Sequence, residues 1–401
     1  MQYERLTLCL EPVALWPAHR FAEIRGAALT QTFESDIGAA IAKNTQIREG
    51  FEMTVVALIL FALFVSPSPA WVQTRKPASL NELASYMGAD REQILYAGAK
   101  TEGKLMWYTS LAGGSYKALI AAFEAKYPGV RVVVYRAGGA DLYVRVTEEY
   151  KAGRNLVDTI ETTEGNLMFM RDSQLLQPYN SPVLKAYPDD AKEAAGNGLY
   201  YWALARESYI GFTYNKNLLP AAAVPKNFDG LLHPDLKGKM GIALGGASGN
   251  RAIGAMIKAR GEEFVRKLKE QQIKLYSLDA PALVNVIASG EVVASPAIFQ
   301  SHTWLAASKG APVEWLPMDL VPNNVGSAAI ALRPPNPHGA VLMADFLLSP
   351  DGQKVLEKFR YGSATKEQPF KRWRPEHGLT TEKYEKDVDH WEKLLKQIGY
   401  K

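Results

Sequence analysis

The sequence predicts an α/β protein built from two successive units, each a mostly parallel sheet flanked by helices. Three features carry this prediction: short runs of β-branched and aromatic residues, apolar residues at helical spacing after several of these runs, and turns rich in glycine, serine or proline between them. Alternating strands and helices require a mostly parallel sheet with helices on both of its faces. The 401 residues are enough for two such units.

The first unit repeats a strand–helix pattern three times. Its first helix places aromatic and aliphatic residues at helical spacing and is followed by Pro128-Gly129, a pair that ends helices. The second helix opens after Gly138-Gly139, with Asp141 as its expected N-cap. The predicted strands are residues 104–108, 130–135 and 157–160, and the other two helices are residues 115–127 and 166–173.

The second unit follows a strand at 209–215 that leaves the first. Its expected strands are residues 239–243, 292–297 and 327–332, and its expected helices are residues 250–260, 262–272, 279–290 and 340–348. An amphipathic helix at 383–398 ends the chain, because its apolar residues fall on one helical stripe. The stripe consists of Tyr384, Val388, Trp391, Leu394, Leu395 and Ile398.

The composition excludes several classes of protein. The net charge is only +4, and lysine and arginine are scattered among acidic residues, so we expect no nucleic-acid partner. Cys9 is the only cysteine, which excludes an internal disulfide and a cysteine-based zinc or iron–sulfur site. The six histidines lack the paired spacing of metal ligands, and we expect no cofactor.

An apolar segment indicates export. Residues 55–65 are uninterrupted apolar residues, too few for a bilayer span of about 20 but typical of a signal-peptide core. Small residues follow, so we expect a signal peptide at 53–70 that is cleaved after Ala70. Residues 1–52 are then an extension ahead of the true start, although a start at Met53 leaves no basic residue before the apolar core. A buried helix is the alternative.

Three strand-to-helix loops are rich in glycine, serine or threonine: residues 109–115, 138–140 and 245–250. Free backbone N–H groups at a helix N-terminus can hold an anion, and glycine lets the backbone approach a ligand closely. Open α/β sheets bind ligands beyond the carboxyl ends of their strands. Although a single such loop is more typical of an ordinary helix cap, loops from both units predict a ligand cleft between them.

No catalytic pattern accompanies these loops. The chain has no GxSxG motif and no GxxxxGK[ST] phosphate loop, and no histidine can be assigned to Ser248 as a base. Glu161 and Glu164 form an acidic pair whose spacing is typical of a solvated helix face. We therefore expect a binding protein and not an enzyme.

Several segments resemble one family of bacterial proteins. Residues 333–356 read RPPNPHGAVLMADFLLSPDGQKVL, which is similar to the APNP and DFLLSPEGQ segment of bacterial extracellular solute-binding proteins. The related subgroup includes periplasmic ferric-iron-binding proteins and carriers of phosphonates, thiamine and polyamines. Further similar segments follow in the family's order: residues 138–142 (GGADL), 157–165 (VDTIETTEG), 175–179 (LLQPY), 214–216 (YNK), 232–239 (LHPDLKGK) and 290–292 (GEV).

The resemblance implies a two-lobed periplasmic binding protein fold with the ligand cleft between its lobes. Lobe 1 would hold residues 95–210 and 327–370, and lobe 2 residues 211–326 and 371–401. The mature protein would be a periplasmic monomer that binds a small molecule and then docks on an inner-membrane ABC permease. Lobe closure would be a hinge motion whose equilibrium the ligand shifts.

The ligand itself is less certain than the fold. Ferric-binding members of the subgroup carry two adjacent tyrosines shortly after the GEV turn, whereas residues 298–304 here read IFQSHTW. We therefore expect an organic anion, such as a carboxylate, a phosphate or a phosphonate. A ferric or other metal carrier is the alternative, with Glu164, His302 and Tyr108 as conceivable ligands. A secreted enzyme on this fold is the third and weakest hypothesis.

Hydroxyl, amide and backbone N–H groups around the cleft are expected to hold the ligand. Arg206, Arg251 or Arg136 could add a bidentate contact to an anion. No catalytic or metal-binding residue is assigned. The expected ligand-binding residues are Tyr108, Thr109, Ser110, Ser115, Gly139, Ala140, Thr162, Thr163, Glu164, Arg206, Ser248, Gly249, Gln300, Ser301, His302 and Asn324.

Overall fold

The computed structural model describes residue 77 and residues 79–112 and 114–400. The expected signal peptide at 53–70, the expected extension at 1–52 and Cys9 lie outside these residues. Among the helices in the described part, none is both long enough and apolar enough to cross a membrane.

Helices and strands alternate along most of the described chain. The α-helices are α1 (Leu80–Ser85), α2 (Arg91–Glu102), α3 (Ser115–Lys126), α4 (Gly139–Lys151), α5 (Glu164–Asp172), α6 (Ser248–Arg260), α7 (Glu262–Lys267), α8 (Ala280–Ser289), α9 (Gln300–Ser308), α10 (Pro337–Leu348), α11 (Pro350–Glu357) and α12 (Thr381–Ile398). The strands are β1 (Lys104–Thr109), β2 (Arg131–Arg136), β3 (Thr159–Thr163), β4 (Leu176–Gln177), β5 (Lys192–Gly196), β6 (Leu199–Asn215), β7 (Gly241–Gly245), β8 (Ile273–Asp279), β9 (Ala294–Phe299), β10 (Val313–Leu316), β11 (Val321–Ala331), β12 (Arg372–Trp373) and β13 (Gly399–Tyr400).

Three parallel strands begin the sheet of lobe 1. β1 pairs with β2 on one side and with β3 on the other, where Trp107 lies opposite Thr159. The carboxyl ends of parallel strands meet at one edge of a sheet, so the loops after β1, β2 and β3 lie at the same edge. The expected parallel pairing is confirmed for these strands.

Two long strands, β6 and β11, pass from lobe 1 into lobe 2. β11 pairs antiparallel with β3, where Gly326 lies opposite Thr163, and β6 pairs antiparallel with β11, where Ser208 lies opposite Asn324. The end of β6 then pairs with β9 and β10. A separate parallel sheet in the order β13, β8, β7 completes lobe 2. We call β6 and β11 the crossing strands.

Each lobe has its own apolar core. In lobe 1, Trp107 is fully buried, and Phe123 meets Phe346 edge to face with ring centroids 5.3 Å apart. In lobe 2, Phe212 and Phe228 are buried in a separate cluster. Ala205 packs in the lobe 1 cluster and Ile210 in the lobe 2 cluster, so the chain passes from one core to the other within residues 205–210. It returns within residues 320–325, since Leu320 packs in the lobe 2 cluster and Val325 in the lobe 1 cluster. We propose that the lobe boundaries lie in these two stretches.

The C-terminal helix α12 packs on α6 and closes the core of lobe 2. Trp391 and Leu394, both on the expected apolar stripe, are buried there. Gly254 permits the close approach, because a Cβ at this position would lie 2.7 Å from the Trp391 indole. The stripe on this helix is therefore a packing face, as its spacing indicates.

The crossing strands are longer than the sequence indicated. β6 begins well before the expected start at 209, and β11 begins before the expected start at 327. From Trp202 onward β6 is buried at every position, so it lacks the polar–apolar alternation that marks a half-exposed strand. A pattern search based on alternation therefore finds only its end.

Two other expectations also differ from the structure. α4 begins at Gly139 with Gly138 as its N-cap, so Asp141 lies in the first turn and is not the cap. The expected helix at 262–272 is interrupted, since α7 ends at Lys267 and a 3-10 turn follows. Gln272 then adopts a left-handed φ of 53°, which ends the turn and directs the chain into β8.

Candidate functional site

A buried ion pair joins β3 and β6 beside the loop at 109–115. Glu161 is 1% exposed and accepts hydrogen bonds from Thr109 Oγ1 at 2.6 Å and from Arg206 Nε at 2.8 Å. The guanidinium of Arg206 also donates to Ser110 Oγ at 3.2 Å and to Ser208 Oγ at 3.3 Å. The structure therefore brings the expected residues Thr109, Ser110 and Arg206 together at the hinge.

Glu161 has a different environment from the one its spacing indicated. It lies in a buried strand, whereas Glu164 is the first residue of α5, so the two acids do not share a helix face. Gly326 of β11 leaves room for the ion pair, because a Cβ there would lie 2.3 Å from Glu161 Oε1 and 2.6 Å from the Arg206 side chain. Sequence reasoning missed both Glu161 and Gly326, since their roles depend on strands that are distant in sequence.

A pocket of about 400 Å³ lies between the lobes. We call it the cleft pocket. Lobe 1 contributes the end of the 109–115 loop and the turn after α11, and lobe 2 contributes α8 and α9. Its lining residues are Ala112, Gly114, Pro281, Val284, Asn285, Ser301, His302, Trp304, Leu305, Ala306, Lys309, Phe359 and Tyr361. The expected residues Ser301 and His302 are among them, and the three large aromatic residues were not expected.

Positive charge surrounds the aromatic side chains of the cleft pocket. The guanidinium of Arg206 lies 5.5 Å from the ring centroid of Tyr361, and that of Arg360 lies 5.6 Å from the ring centroid of Trp304. Lys309 also lines the pocket. No carboxylate of the described residues lies within ion-pair distance of Arg360 or Lys309, whereas Arg206 is neutralised by Glu161. The pocket therefore favours a ligand that carries negative charge.

His302 is a neutral group of the cleft pocket at neutral pH. Burial lowers its pKa to about 4, against a smaller opposing effect of Asp279. Its ring packs edge-on against Phe299, with centroids 5.1 Å apart, and its Nδ1 is buried without a hydrogen-bond partner among the described residues. His302 can thus donate one hydrogen bond and accept another, and it adds no charge.

Five of the expected ligand-binding residues carry a buried polar atom without a partner in the described part of the chain. Such an atom costs roughly 1–3 kcal/mol unless a ligand or a water satisfies it, so each of the five can accommodate a polar ligand atom or a water. The atoms come from both lobes and from a crossing strand. They are Thr162 Oγ1, Glu164 Oε2, Ser248 Oγ, His302 Nδ1 and Asn324 Oδ1.

Glu164 is a buried carboxyl group at the N-terminus of α5. Its Oε1 accepts a hydrogen bond from Trp202 Nε1 at 3.2 Å. Burial raises the pKa of Glu164 to about 7, opposed by the positive charge of Arg374 and reinforced by the negative charge of Glu376. The group therefore exchanges a proton near neutral pH and can act as donor or acceptor.

Two of the arginines considered for a bidentate contact have other partners. Arg251 donates to both carboxylate oxygens of Glu376 and to the hydroxyl of Tyr384 at 3.0 Å, which ties α6 to the C-terminal segment. Arg136 donates from Nε to the carbonyl of Leu111 at 3.1 Å. Arg206 and Arg136 both contact the loop at 109–115, and Arg206 is the one of the three that pairs with Glu161.

Tyr108 lies in the core of lobe 1 and not at the cleft surface. It is fully buried, its hydroxyl donates to Glu149 Oε1 at 2.7 Å and accepts from Arg145 Nε at 2.9 Å, and burial raises its pKa. The conceived metal set of Tyr108, Glu164 and His302 is therefore not assembled around the tyrosine. The described residues hold no group of three or more histidine, cysteine or acidic side chains that could bind a metal.

The remaining expected residues support the loops around the cleft. Ser115 donates to the carbonyl of Ala112 at 2.8 Å, and Thr163 Oγ1 accepts from Asn166 Nδ2 at 2.6 Å. Three of these residues begin or follow the start of a helix: Gly139 and Ala140 in α4, and Gln300 in α9. Gly249 faces inward, since a Cβ there would lie 3.0 Å from the Ala243 carbonyl and from the side chain of Leu395.

A sequence profile described as bacterial extracellular solute-binding protein matches residues 118–367. No curated protein sequence gives a significant match.

Solved structures of periplasmic proteins have the same fold at low sequence identity. Iron-bound HitA from Pseudomonas aeruginosa is 22% identical with a TM-score of 0.59, covering 74% of this chain and 99% of its own. FutA (IdiA) from Trichodesmium in complex with iron and citrate is 19% identical with a TM-score of 0.59, covering 75% and 100%. AfuA from Actinobacillus pleuropneumoniae with bound fructose-6-phosphate is 21% identical with a TM-score of 0.58, covering 74% and 99%.

Proposed function

The chain belongs to the bacterial extracellular solute-binding proteins, the substrate-binding components of ABC importers, and we propose that its ligand is an organic anion with an apolar or aromatic part. The family and the fold are those of proteins that bind a small solute and do not transform it. The finer assignment of the ligand depends on the cleft pocket.

The proposal rests on the aromatic rings of the cleft pocket together with two cations, Lys309, which lines the pocket, and Arg360, which lies beside the Trp304 ring. Trp304, Phe359 and Tyr361 offer apolar surface, which stabilises a bound organic group through burial but contributes little to a bare metal ion. Arg360 and Lys309 supply positive charge for a carboxylate or phosphate. A ligand with an apolar part and a negative charge would contact residues of both lobes in the cleft pocket.

Closure around such a ligand follows from the position of the pocket. Lobe 1 presents Tyr361 and lobe 2 presents Trp304, so full contact requires both lobes to face the ligand at once. A ligand shifts the open–closed equilibrium only by its differential affinity for the closed state. We propose that the closed, loaded form is the one recognised by an inner-membrane permease.

A ferric or other metal carrier is the second candidate. Two observations favour it: His302 is neutral at pH 7, which is the metal-binding form of imidazole, and Glu164 Oε2 has no partner among the described residues. The structural relatives with this fold include proteins solved with iron and one solved with a sugar phosphate. The two candidates are distinguished by experiment.

We also propose that residues 53–70 are a signal peptide removed after Ala70, and that the mature protein is a periplasmic monomer. The support is the apolar run at 55–65 followed by small residues, together with an extracellular family. Mass spectrometry of the protein exported from a bacterial host would give Trp71 as the first residue.

A thermal-shift screen of the protein from Trp71 onward tests the ligand class. Its arms are aromatic carboxylates, sugar phosphates, phosphonates, citrate alone and Fe(III)-citrate. We expect an organic anion to raise the melting temperature and Fe(III) to add nothing beyond citrate, because a ligand that binds only the folded state stabilises it. A shift that requires Fe(III) and is lost in His302→Ala would overturn the proposal in favour of a metal carrier.

Matched variants test whether the ligand-induced rise in melting temperature depends on the cleft pocket. Trp304→Ala and Lys309→Gln remove one ring and one cation of the pocket and should reduce this rise. Lys267→Gln removes an exposed lysine that lies outside the pocket and has no carboxylate of the described residues within ion-pair distance, so it should leave the response unchanged. Equal weakening in all three variants would mean that the ligand binds through general surface charge.

A further inference from the structure

A second pocket lies on the opposite side of the crossing strands. Successive side chains of a strand point to opposite faces, so Glu207 points away from the cleft that its neighbour Arg206 faces. A pocket of about 530 Å³ is lined on that side by Leu204 and Glu207 of β6 and by Asn323 of β11. It shares no lining residue with the cleft pocket. We call it the hinge pocket.

The walls of the hinge pocket come from both lobes. Lys258 of α6 belongs to lobe 2, and Asp190 precedes β5 of lobe 1. The segment from Arg372 to His377 begins with β12 and runs along the pocket. β12 pairs with β11, where Arg372 lies opposite Val321. A molecule in this pocket would therefore contact the two lobes and the crossing strands at once.

The charges of the hinge pocket are unequally compensated. Glu207 accepts from Arg372 Nη1 at 2.6 Å and from Asn323 Nδ2 at 2.8 Å, so this carboxylate is already satisfied by an arginine and an amide. Lys258 and Arg374 have no carboxylate within ion-pair distance in the described part of the chain, and the remaining acid, Asp190, is exposed. The lining holds three cations against two carboxylates, and Lys258 and Arg374 have no ion-pair partner there, although the charge of Arg374 also acts on the nearby Glu164.

Neutral hydrogen-bonding groups accompany these cations. Arg374 donates to Nδ1 of His377, and burial and the charge of Arg374 lower the pKa of that imidazole. The neutral ring then carries its proton on Nε2 and is a further donor. Asn323 is fully buried, and its Oδ1 lacks a partner among the described residues, so it can accept from a hydroxyl. The Trp373 ring, 6.0 Å from Lys258 Nζ, supplies an apolar wall.

We propose that the hinge pocket binds a small hydroxylated oxyanion, a hydroxycarboxylate or a phosphomonoester, at a site separate from the cleft ligand. Lys258 and Arg374 hold the anionic group, and His377 Nε2 and Asn323 Oδ1 hold its hydroxyl groups. The site is independent of the identity of the cleft ligand, because the two pockets have no residue in common.

Isothermal titration calorimetry of the protein from Trp71 onward tests the site with citrate, glycerol 3-phosphate and inorganic phosphate. We expect one of the two hydroxylated anions to bind with a Kd of about a millimolar or tighter and more strongly than inorganic phosphate. Citrate binding alone identifies a hydroxycarboxylate site, and glycerol 3-phosphate binding alone identifies a phosphomonoester site. Binding of neither, or equal binding of inorganic phosphate, overturns the proposal.

Variants separate this site from the cleft. Lys258→Gln with Arg374→Gln should weaken the binding about tenfold or more, because charge-assisted hydrogen bonds are lost. Lys267→Gln and the cleft variants Trp304→Ala and Lys309→Gln should retain it. Melting temperatures without ligand verify that each variant is folded, and Lys258 is exposed, so its replacement leaves the core intact. Binding that disappears in the cleft variants and survives in the double variant places the anion in the cleft and refutes the site.

Discussion

The two faces of the crossing strand β6 each carry a buried carboxylate paired with an arginine, but the pairs differ in exposure. On the cleft face, both Glu161 and Arg206 are nearly inaccessible, with side chains 1% and 6% exposed. On the opposite face, Glu207 is 4% exposed, whereas its partner Arg372 is 30% exposed. Solvent therefore does not reach the first pair, whereas it partly screens the charge of the second. Ions and small solutes can approach Arg372 on the opposite face but not the Glu161–Arg206 pair.

The largest effect is expected from breaking the pair on the cleft face. Glu161→Gln leaves the guanidinium of Arg206 buried without a counter-charge, which should lower the free energy of unfolding by about 3–5 kcal/mol. Urea unfolding of the mature protein measures this loss. The double variant Glu161→Gln with Arg206→Met should recover part of it, because no charge is then left unpaired. A single variant within about 1 kcal/mol of the parent would show that the pair is not the buried contact described here.

An intermediate effect is expected from Glu164, a buried carboxyl group whose pKa is raised. Glu164 has a pKa of about 7 in the folded protein against an ordinary value of 4.5, so between these pH values the folded state holds a proton that the unfolded state has released. The contribution of Glu164 to the free energy of unfolding should fall as pH rises through this window, by up to about 3 kcal/mol. Urea unfolding at several pH values should show this contribution as the difference between the parent and Glu164→Gln.

His302 provides the control for that pH dependence. Burial lowers its pKa to about 4, which has the opposite sign: stability is lost as pH falls from its ordinary value of 6.5 toward 4. The two contributions nearly cancel in the parent, so His302→Gln should show a clear fall of stability with rising pH, and Glu164→Gln should show a rise. Parallel pH profiles for the parent and Glu164→Gln would contradict the raised pKa.

The smallest effect is expected on the opposite face. Glu207→Gln, the counterpart of Glu161→Gln, leaves Arg372 without its carboxylate, but this arginine is partly solvated, and the new amide oxygen can still accept from Asn323. The loss of stability should be about 1 kcal/mol and should shrink at high salt, as for exposed pairs. Glu161→Gln measured at the same two salt concentrations serves as the comparison, since its loss should not change. If the loss in the free energy of unfolding did not depend on salt for either variant, the two ion pairs would not differ in solvent screening.

Local patterns were sufficient for most helices and for strands such as β1, β2 and β3, because their signals lie within a few residues, whereas β4, β5, β8, β10, β12 and β13 were not predicted. The helix α12 was predicted from its apolar stripe, and the strand β1 from its aromatic and aliphatic run. The crossing strand β6 was found only at its end, since burial on both faces removes alternation. Similarity of several segments to one family supplied the two-lobed arrangement, which alternation of strands and helices alone does not specify.

The candidate site was predicted in part. Thr109, Ser110 and Arg206 lie together, because Thr109 and Ser110 are at the end of β1 and Arg206 is in β6, and that they bind the ligand stays a prediction. Glu161 was assigned to a solvated face, since spacing by itself does not reveal that a helix begins only at Glu164. Whether the other expected residues contact a ligand stays a prediction.

The aromatic part of the cleft pocket could not have been found locally. Phe359 and Tyr361 follow α11 in a short turn in which Arg360 adopts a left-handed φ of 62°. Their position depends on how α11 packs on α3, more than two hundred residues earlier in the chain. The partners that such a turn meets are set by tertiary packing and not by sequence spacing.

The crossing strands also bear on how this chain is made. β11 lies between β3 and β6, and Ala331 is its last residue, so the sheet of lobe 1 remains incomplete until most of the chain has emerged. Pairings between segments so distant in sequence form slowly, because a long loop must close first. The crossing strands are therefore expected to delay completion of the lobe 1 sheet until most of the chain has left the ribosome.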